Sequence, residues 1–241
     1  MGKQTMFRRI SVAVIAVTAT VLTAAPASAA PGLLPSSCAE IRAALPVAGD
    51  GNYVLVTESR ILPVYCHDMA GTPREYVTLN AQNFSQYTAG GASPGSDVRT
   101  TFSKVRIDPA TLTVDIADLT FATSTGQLRH GGDTVTAMPY GVAMACTGGP
   151  SGVGRVDLTG TAFVLADTFV IGGNGPSGEA VERADGRAAD LTGGGFCGWI
   201  NPAPVLYNPY NPSAPTYRLE LACGPYNALD VLLGRACVNL P

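Results

Sequence analysis

The sequence predicts a mainly β protein, leaning to α+β, in which antiparallel twisted sheets carry one short N-terminal helix and disulfides staple the chain. Three observations predict it. Charged residues make up only 14% while Val, Thr, Ile and Tyr recur, a composition that suits pleated, half-buried strands. Gly and Pro number 28 and 18, enough for many tight turns but below the level that signals disorder. All six cysteines (38, 66, 146, 197, 223 and 237) lie beyond the first thirty residues, and an even count in an exported chain points to disulfides.

Export is predicted by residues 1–29. Lys3, Arg8 and Arg9 form a basic start, Ile10 to Ala25 is an uncharged apolar run, and Ala27-Ser28-Ala29 is a small-x-small cleavage site. Without this segment 12 basic residues face 18 acidic ones, a net charge of −6. That balance argues against nucleic acid or anionic lipid as partner, since both reward clustered Lys and Arg. No later stretch is long and apolar enough to span a bilayer.

In chain order, Ser37 with Glu40 forms a capping box, and Cys38, Ile41 and Leu45 share the face of a helix that Pro46 stops. Tyr53–Val56 and Ile61–Cys66 read as strands around a polar turn, with Leu62, Val64 and Cys66 on one face. A helix carrying Cys38 can lie on that face. Six cysteines allow 15 pairings, and the expected set follows chain order: Cys38–Cys66, Cys146–Cys197 and Cys223–Cys237. A further strand is expected at Glu75–Leu79, then a Gly/Ser/Ala loop to Asp97. Phe102–Asp108 and Thr113–Phe121 read as a hairpin with a bulge near Ala117-Asp118. Thr123–Thr134 reads as a polar loop and Met138–Cys146 as a strand. Beyond Thr147, glycines are expected to cut the chain into short strands. Arg155–Gly160 and Arg187–Gly193 resemble each other, as paired hairpins of similar design do. The body is expected over 38–200. A Pro-rich segment from Asn201 and a Cys223–Cys237-closed tail (201–241) are expected to dock on it.

Several short patterns invite chemistry. Gly91-Ala-Ser93-Pro-Gly95 matches a nucleophile elbow, and Asp118 and His130 follow in hydrolase order, but the apolar strand before it and the helix after it are missing. Gly173–Gly178 matches G-x-G-x-x-G, yet Pro176 removes a donor and Gly186 interrupts any following helix, so a hairpin loop is expected. His67-Asp68 is a candidate metal pair, although a short acid after a strand commonly bonds its own turn. Asn83-Phe-Ser85 has the form of a glycosylation sequon. Tyr207, Tyr210, Tyr217 and Tyr226, interleaved with prolines, suit either a sticky surface or packing onto the body. No zinc spacing and no cofactor motif is present.

Cys38-Ala-Glu-Ile41, Asp50-Gly-Asn-Tyr53, Tyr65-Cys-His-Asp-Met69, Glu75–Leu79, Asn83–Ser85 and Lys104–Asp108 with Asp118-Leu119 together resemble the GON domain. Cys146 and Phe196-Cys-Gly198 anchor the resemblance further on, and it covers about 38–199. That domain closes certain ADAMTS-type secreted zinc metalloendopeptidases and is familiar as a stand-alone secreted bacterial module. The opening is also similar to the start of fibrinogen C-terminal domains, which bridge the two equivalent cysteines. The resemblance implies a domain attached to proteases, not a protease. The two histidines, His67 and His130, cannot form H-E-x-x-H. The expectation is therefore a secreted, non-catalytic binding or adhesion module for a matrix, cell-wall or glycan surface. The alternative is a small secreted serine hydrolase using Ser93, His130 and Asp118.

Overall fold

Ser37 starts helix α1 (Cys38–Ala44) by accepting the Glu40 N–H at 3.1 Å. In the computed structural model, which describes residues 34–166, 168–203 and 218–241, the reciprocal half of the expected capping box is displaced by one residue. The Glu40 carboxylate accepts from the N–H and hydroxyl of Ser36, at 2.7 and 3.0 Å. Cys38 and Ile41 are buried, but Leu45 is the C-cap and is 52% exposed, because the chain leaves the helical path there. The export segment at 1–29 and Tyr207, Tyr210 and Tyr217 lie outside the described residues.

Strands β1 (Gly51–Val56) and β2 (Arg60–His67) form a hairpin closed by Thr57, whose hydroxyl accepts from Arg60 N at 3.0 Å. Leu62, Val64 and Cys66 alternate inward, and the Cys38–Cys66 disulfide fixes α1 on that face. Strand β3 (Arg74–Thr88) continues well past the expected end at Leu79. The residues that hid its second half, Asn83 and Ser85, are polar but fully buried. Asn83 Nδ2 donates to the carbonyls of Ala81 and Asp157, so the sequon carries a structural amide with no room for a glycan.

Strand β4 (Val98–Asp108) turns through Asp108, whose carboxylate accepts the Ala110 and Thr111 N–H groups, into β5 (Thr113–Asp115). The expected bulge at Ala117-Asp118 is a break instead. Asp115 and Asp118 each bond the backbone two residues on, and pairing with β4 resumes in β6 (Ala122–Thr125). The expected polar loop holds a small separate hairpin, β7 (Leu128–His130) and β8 (Asp133–Val135), turned by Gly131-Gly132 with Gly131 at φ 59°.

The glycine-rich half corrects the expectation of short strands. Strand β9 (Ala143–Asp157) is long, as is β13 (Ala188–Pro202), and each doubles back on itself. A Cβ on Gly152 would collide with the Met144 carbonyl in the same strand, and one on Gly198 with the Gly194 carbonyl. Glycine here permits a corner rather than ending a strand. The two similar Arg-led stretches are neighbours across this ribbon, joined by Arg155 to Asp190 at 2.6 and 3.1 Å. Strands β10 (Phe163–Leu165), β11 (Phe169–Asn174) and β12 (Ser177–Glu182) follow, the last two both lying on β13, so the G-x-G-x-x-G stretch is a strand connection.

The C-terminal residues enter the sheet. Strand β14 (Arg218–Cys223) lies between β5 and β10, and after helix α2 (Ala228–Leu232) strand β15 (Val238–Asn239) pairs with β2. The main path runs β10-β14-β5-β4-β3-β9-β13-β11. Cys146–Cys197 ties β9 to β13 and Cys223–Cys237 ties β14 to the last turn. No described helix is long and apolar enough to cross a membrane.

Candidate functional site

Strands β2 and β3 pair only at Tyr65–Tyr76, Cys66–Glu75 and His67–Arg74, and then part. Pro63 stands just beyond the end of the ladder, where a residue without an N–H is tolerated. The parting leaves an open groove of about 470 Å³. Its walls are Asn52–Val54 of β1, Pro63–Tyr65 of β2, Tyr76–Thr78 and Asn80 of β3, Gly160–Phe163, and Leu233–Arg235 after α2. Tyr53 is fixed by donating to Gly49 O at 2.7 Å, and Asn80 by donating to Gly160 O at 2.8 Å. A second depression of about 330 Å³ shares Gly160–Ala162 and Arg235 and adds Arg187, Tyr226 and Asp230. Arg187 is spent on the carbonyls of Thr161, Phe163 and Pro225, and Arg235 faces Asp230 at 3.6 Å.

Next to the groove, Phe121 packs edge-on against Tyr65, His67 and Tyr76, with centroids at 6.0, 4.8 and 4.8 Å, and Lys104 Nζ stands 4.5 Å over the Tyr65 ring. Burial pushes the Tyr76 phenol above its ordinary pKa. His67 Nδ1 meets Asp50 at 2.8 Å, and Asp50 also accepts the Asp68 and Met69 N–H groups. Asp68 sits at φ 54° and caps Thr72 N. The structure therefore gives His67 and Asp68 different partners, and no cluster of three or more metal-ligating side chains gathers among the described residues.

The Met69 N–H, foremost, holds Asp50 below the ordinary carboxylate pKa, with Asp68 N–H and His67 adding to it against desolvation. A depressed folded pKa means stability that is present above about pH 4 and is lost as pH falls through the folded value. Urea midpoints followed from pH 6 downward should decline in that range, and Asp50→Asn should flatten the decline.

Ser93 and His130 are brought together, but through a residue that the sequence did not single out. The Tyr87 hydroxyl contacts Ser93 Oγ, His130 Nδ1 at 2.6 Å and Cys146 Sγ at 3.0 Å. Tyr87 and Ser93 have no exposed surface, whereas His130 is half-buried at the hairpin end. Burial pushes His130 below the ordinary imidazole pKa, with Asp133 opposing. Asp118 lies elsewhere, accepting from Tyr76 at 3.2 Å and facing Arg106. No sequence signal marked Tyr87, since the half of β3 that carries it did not read as a strand and nothing in the sequence brought it beside Cys146.

The family model described as the GON domain matches residues 35–94 and 92–206. A disintegrin and metalloproteinase with thrombospondin motifs gon-1 of Caenorhabditis elegans is 30% identical over 200 residues, covering 70% of this chain and 9% of that protein. A disintegrin and metalloproteinase with thrombospondin motifs 20 of Homo sapiens is 28% identical over 192 residues, covering 68% of this chain and 10% of that protein. No solved structure matches the chain significantly. With the family model spanning most of the described sheet, this chain belongs to the GON domain family.

Proposed function

We propose that the chain is a secreted, non-catalytic recognition module that binds a neutral glycan in the groove where β2 and β3 part. The groove itself carries the reading: Tyr65 lines it with Asn52, its cross-strand neighbour on the same face of the β1–β2 ladder, and with the amide and hydroxyl side chains of Asn80, Thr78 and Thr161. Aromatic faces suit the apolar faces of sugar rings, and fixed amides suit their hydroxyls. Among the described residues the one cation lining it, Arg235, is paired with Asp230, and Lys104 beside it stands over the Tyr65 and Phe121 rings, which favours an uncharged ligand. The export segment and three bridges support an extracellular setting. The burial of Ser93 supports the non-catalytic reading, since a serine without exposed surface offers no nucleophile to a substrate.

A glycan array with the purified protein from residue 31 tests this. Neutral oligosaccharides should bind, and Tyr65→Ala should weaken binding by about tenfold through lost stacking. Binding unchanged by Tyr65→Ala and Asn80→Ala, or confined to charged glycans, would overturn the assignment to this groove.

A further inference from the structure

The hydroxyl that joins Ser93 to His130 also reaches a disulfide, and this points away from the groove. Cys146 is 1% exposed while Cys197, on the neighbouring strand, is half-buried and follows Phe196, which is 70% exposed. Of the two residues only Cys197 has appreciable exposed surface, so a thiol is expected to approach the bridge from its side. The sulfur that such an attack releases is the one against which Tyr87 Oη lies at 3.0 Å, with His130 Nδ1 at 3.8 Å.

We propose that Cys197 is a thiol-exchange site, at which a partner thiolate displaces Cys146 and remains attached to the module as a mixed disulfide. The step balances. The partner sulfur forms a bond to Cys197 Sγ, the Cys146–Cys197 bond breaks, and its electron pair leaves on Cys146 as thiolate. One disulfide is consumed and one formed, with no net oxidation.

The Tyr87 network favours the released thiolate over the intact bridge. A disulfide sulfur is a weak acceptor, so in the resting protein the Tyr87 proton belongs on His130 Nδ1, which its buried setting keeps neutral. Ser93 can in turn donate to the Tyr87 oxygen. Once Cys146 carries charge it becomes the strongest acceptor in reach, and the Tyr87 O–H turns to it. A bond made only to the developing charge lowers the barrier rather than deepening the ground state. It also lowers the basicity of the departing thiol, which speeds its departure.

The other bridges provide internal controls. Cys223–Cys237 has the same asymmetry, one half-buried residue and one fully buried, but no described hydrogen-bond donor reaches the sulfur of Cys237. Cys38–Cys66 is fully buried at both ends.

The folded, oxidised protein is incubated with reduced glutathione at pH 8, quenched with acid, alkylated and mapped by peptide mass spectrometry. The expected adduct is on Cys197 with Cys146 as free thiol, forming at least roughly tenfold faster than any opening of Cys223–Cys237. Tyr87→Phe, which keeps the ring, should bring the two rates together. Adducts on Cys146, equal opening of the two bridges in the unaltered protein, or a Tyr87→Phe rate equal to the original would each overturn the proposal. The comparison between bridges needs no variant, so it stands even if Tyr87→Phe fails to fold.

Discussion

Asn83→Ala should lower the unfolding free energy by about 3–5 kcal/mol, a large part of what holds any domain folded. The amide is 1% exposed and fully engaged. Its Nδ2 donates to Ala81 O at 3.1 Å and Asp157 O at 2.8 Å, and its Oδ1 accepts from the Tyr140 hydroxyl at 2.8 Å and Asp157 N at 2.7 Å. These four bonds use the whole capacity of an amide. Truncation leaves a buried phenol, a backbone N–H and two backbone carbonyls to find new partners. Burial already drives the Tyr140 phenol far above its ordinary pKa, so it cannot ionise to escape. Tyr140→Phe alone should cost only about 1–2 kcal/mol, because it removes one bond and leaves one lone pair unused. Combined with Asn83→Ala it should cost less than the sum, and urea denaturation of all four forms gives that coupling directly. Additive losses would mean that the network is not a unit.

Removing the first bridge is the other large effect. Cys38→Ala with Cys66→Ala should destabilise by about 3–4 kcal/mol on the chain-entropy account, since it frees a loop of 28 residues in the unfolded chain. For a domain of this size that lowers the midpoint of thermal unfolding by about 10 °C. Both residues are fully buried, one on a seven-residue helix and one on β2, and so short a helix is marginal without its packing. Loss of the bridge should therefore also loosen α1, which amide exchange at Ile41 and Leu45 would register as faster than in the rest of the core. A midpoint within a degree or two of the original would show that α1 is held by Ile41 and by the Cys38 N–H to Glu75 bond at 2.7 Å instead.

How far the sequence could be read depends on what each residue needed. The cap at Ser37, the β1–β2 hairpin and the inward set Leu62, Val64 and Cys66 were legible because local chemistry and period two agree there. The second half of β3 was not, because Asn83, Ser85 and Gln86 are buried polar residues whose partners, Tyr140, Val142 and Asp97, come from elsewhere in the chain. The doubled-back strands β9 and β13 are hidden in the sequence for a related reason. A glycine that ends a strand and a glycine that lets one strand cross itself look the same until the colliding carbonyl is known. Of the site, Tyr65 and Tyr53 stood inside the stretches that carry the family likeness, yet their grouping with Asn80, Thr161 and Arg235 rests on long-range packing. His67 and Asp68 looked like a pair in the sequence because they are adjacent, and backbone geometry sends them to different partners.

The place of β14 has a consequence for how the chain becomes a protein. Strand β10 has β14 as its partner in the sheet path, and β14 also covers the outer side of β5, while β15 completes β2. These partners come from residues 218–239, about a hundred residues or more after β5 and β2. The open sides of β5, β10 and β2 must wait until β14 and β15 arrive. Such distant pairings are slow, in the range of milliseconds to seconds, and leave strand edges open to other chains meanwhile. The helix and hairpin around Cys38 and Cys66, by contrast, are contiguous and can close early. Folding should thus have two stages, an early nucleus around Cys38 and Cys66 and a late closure by β14 and β15. Pulse-labelled amide exchange should find protection at Leu62 and Val64 before it appears at Val114 and Val164.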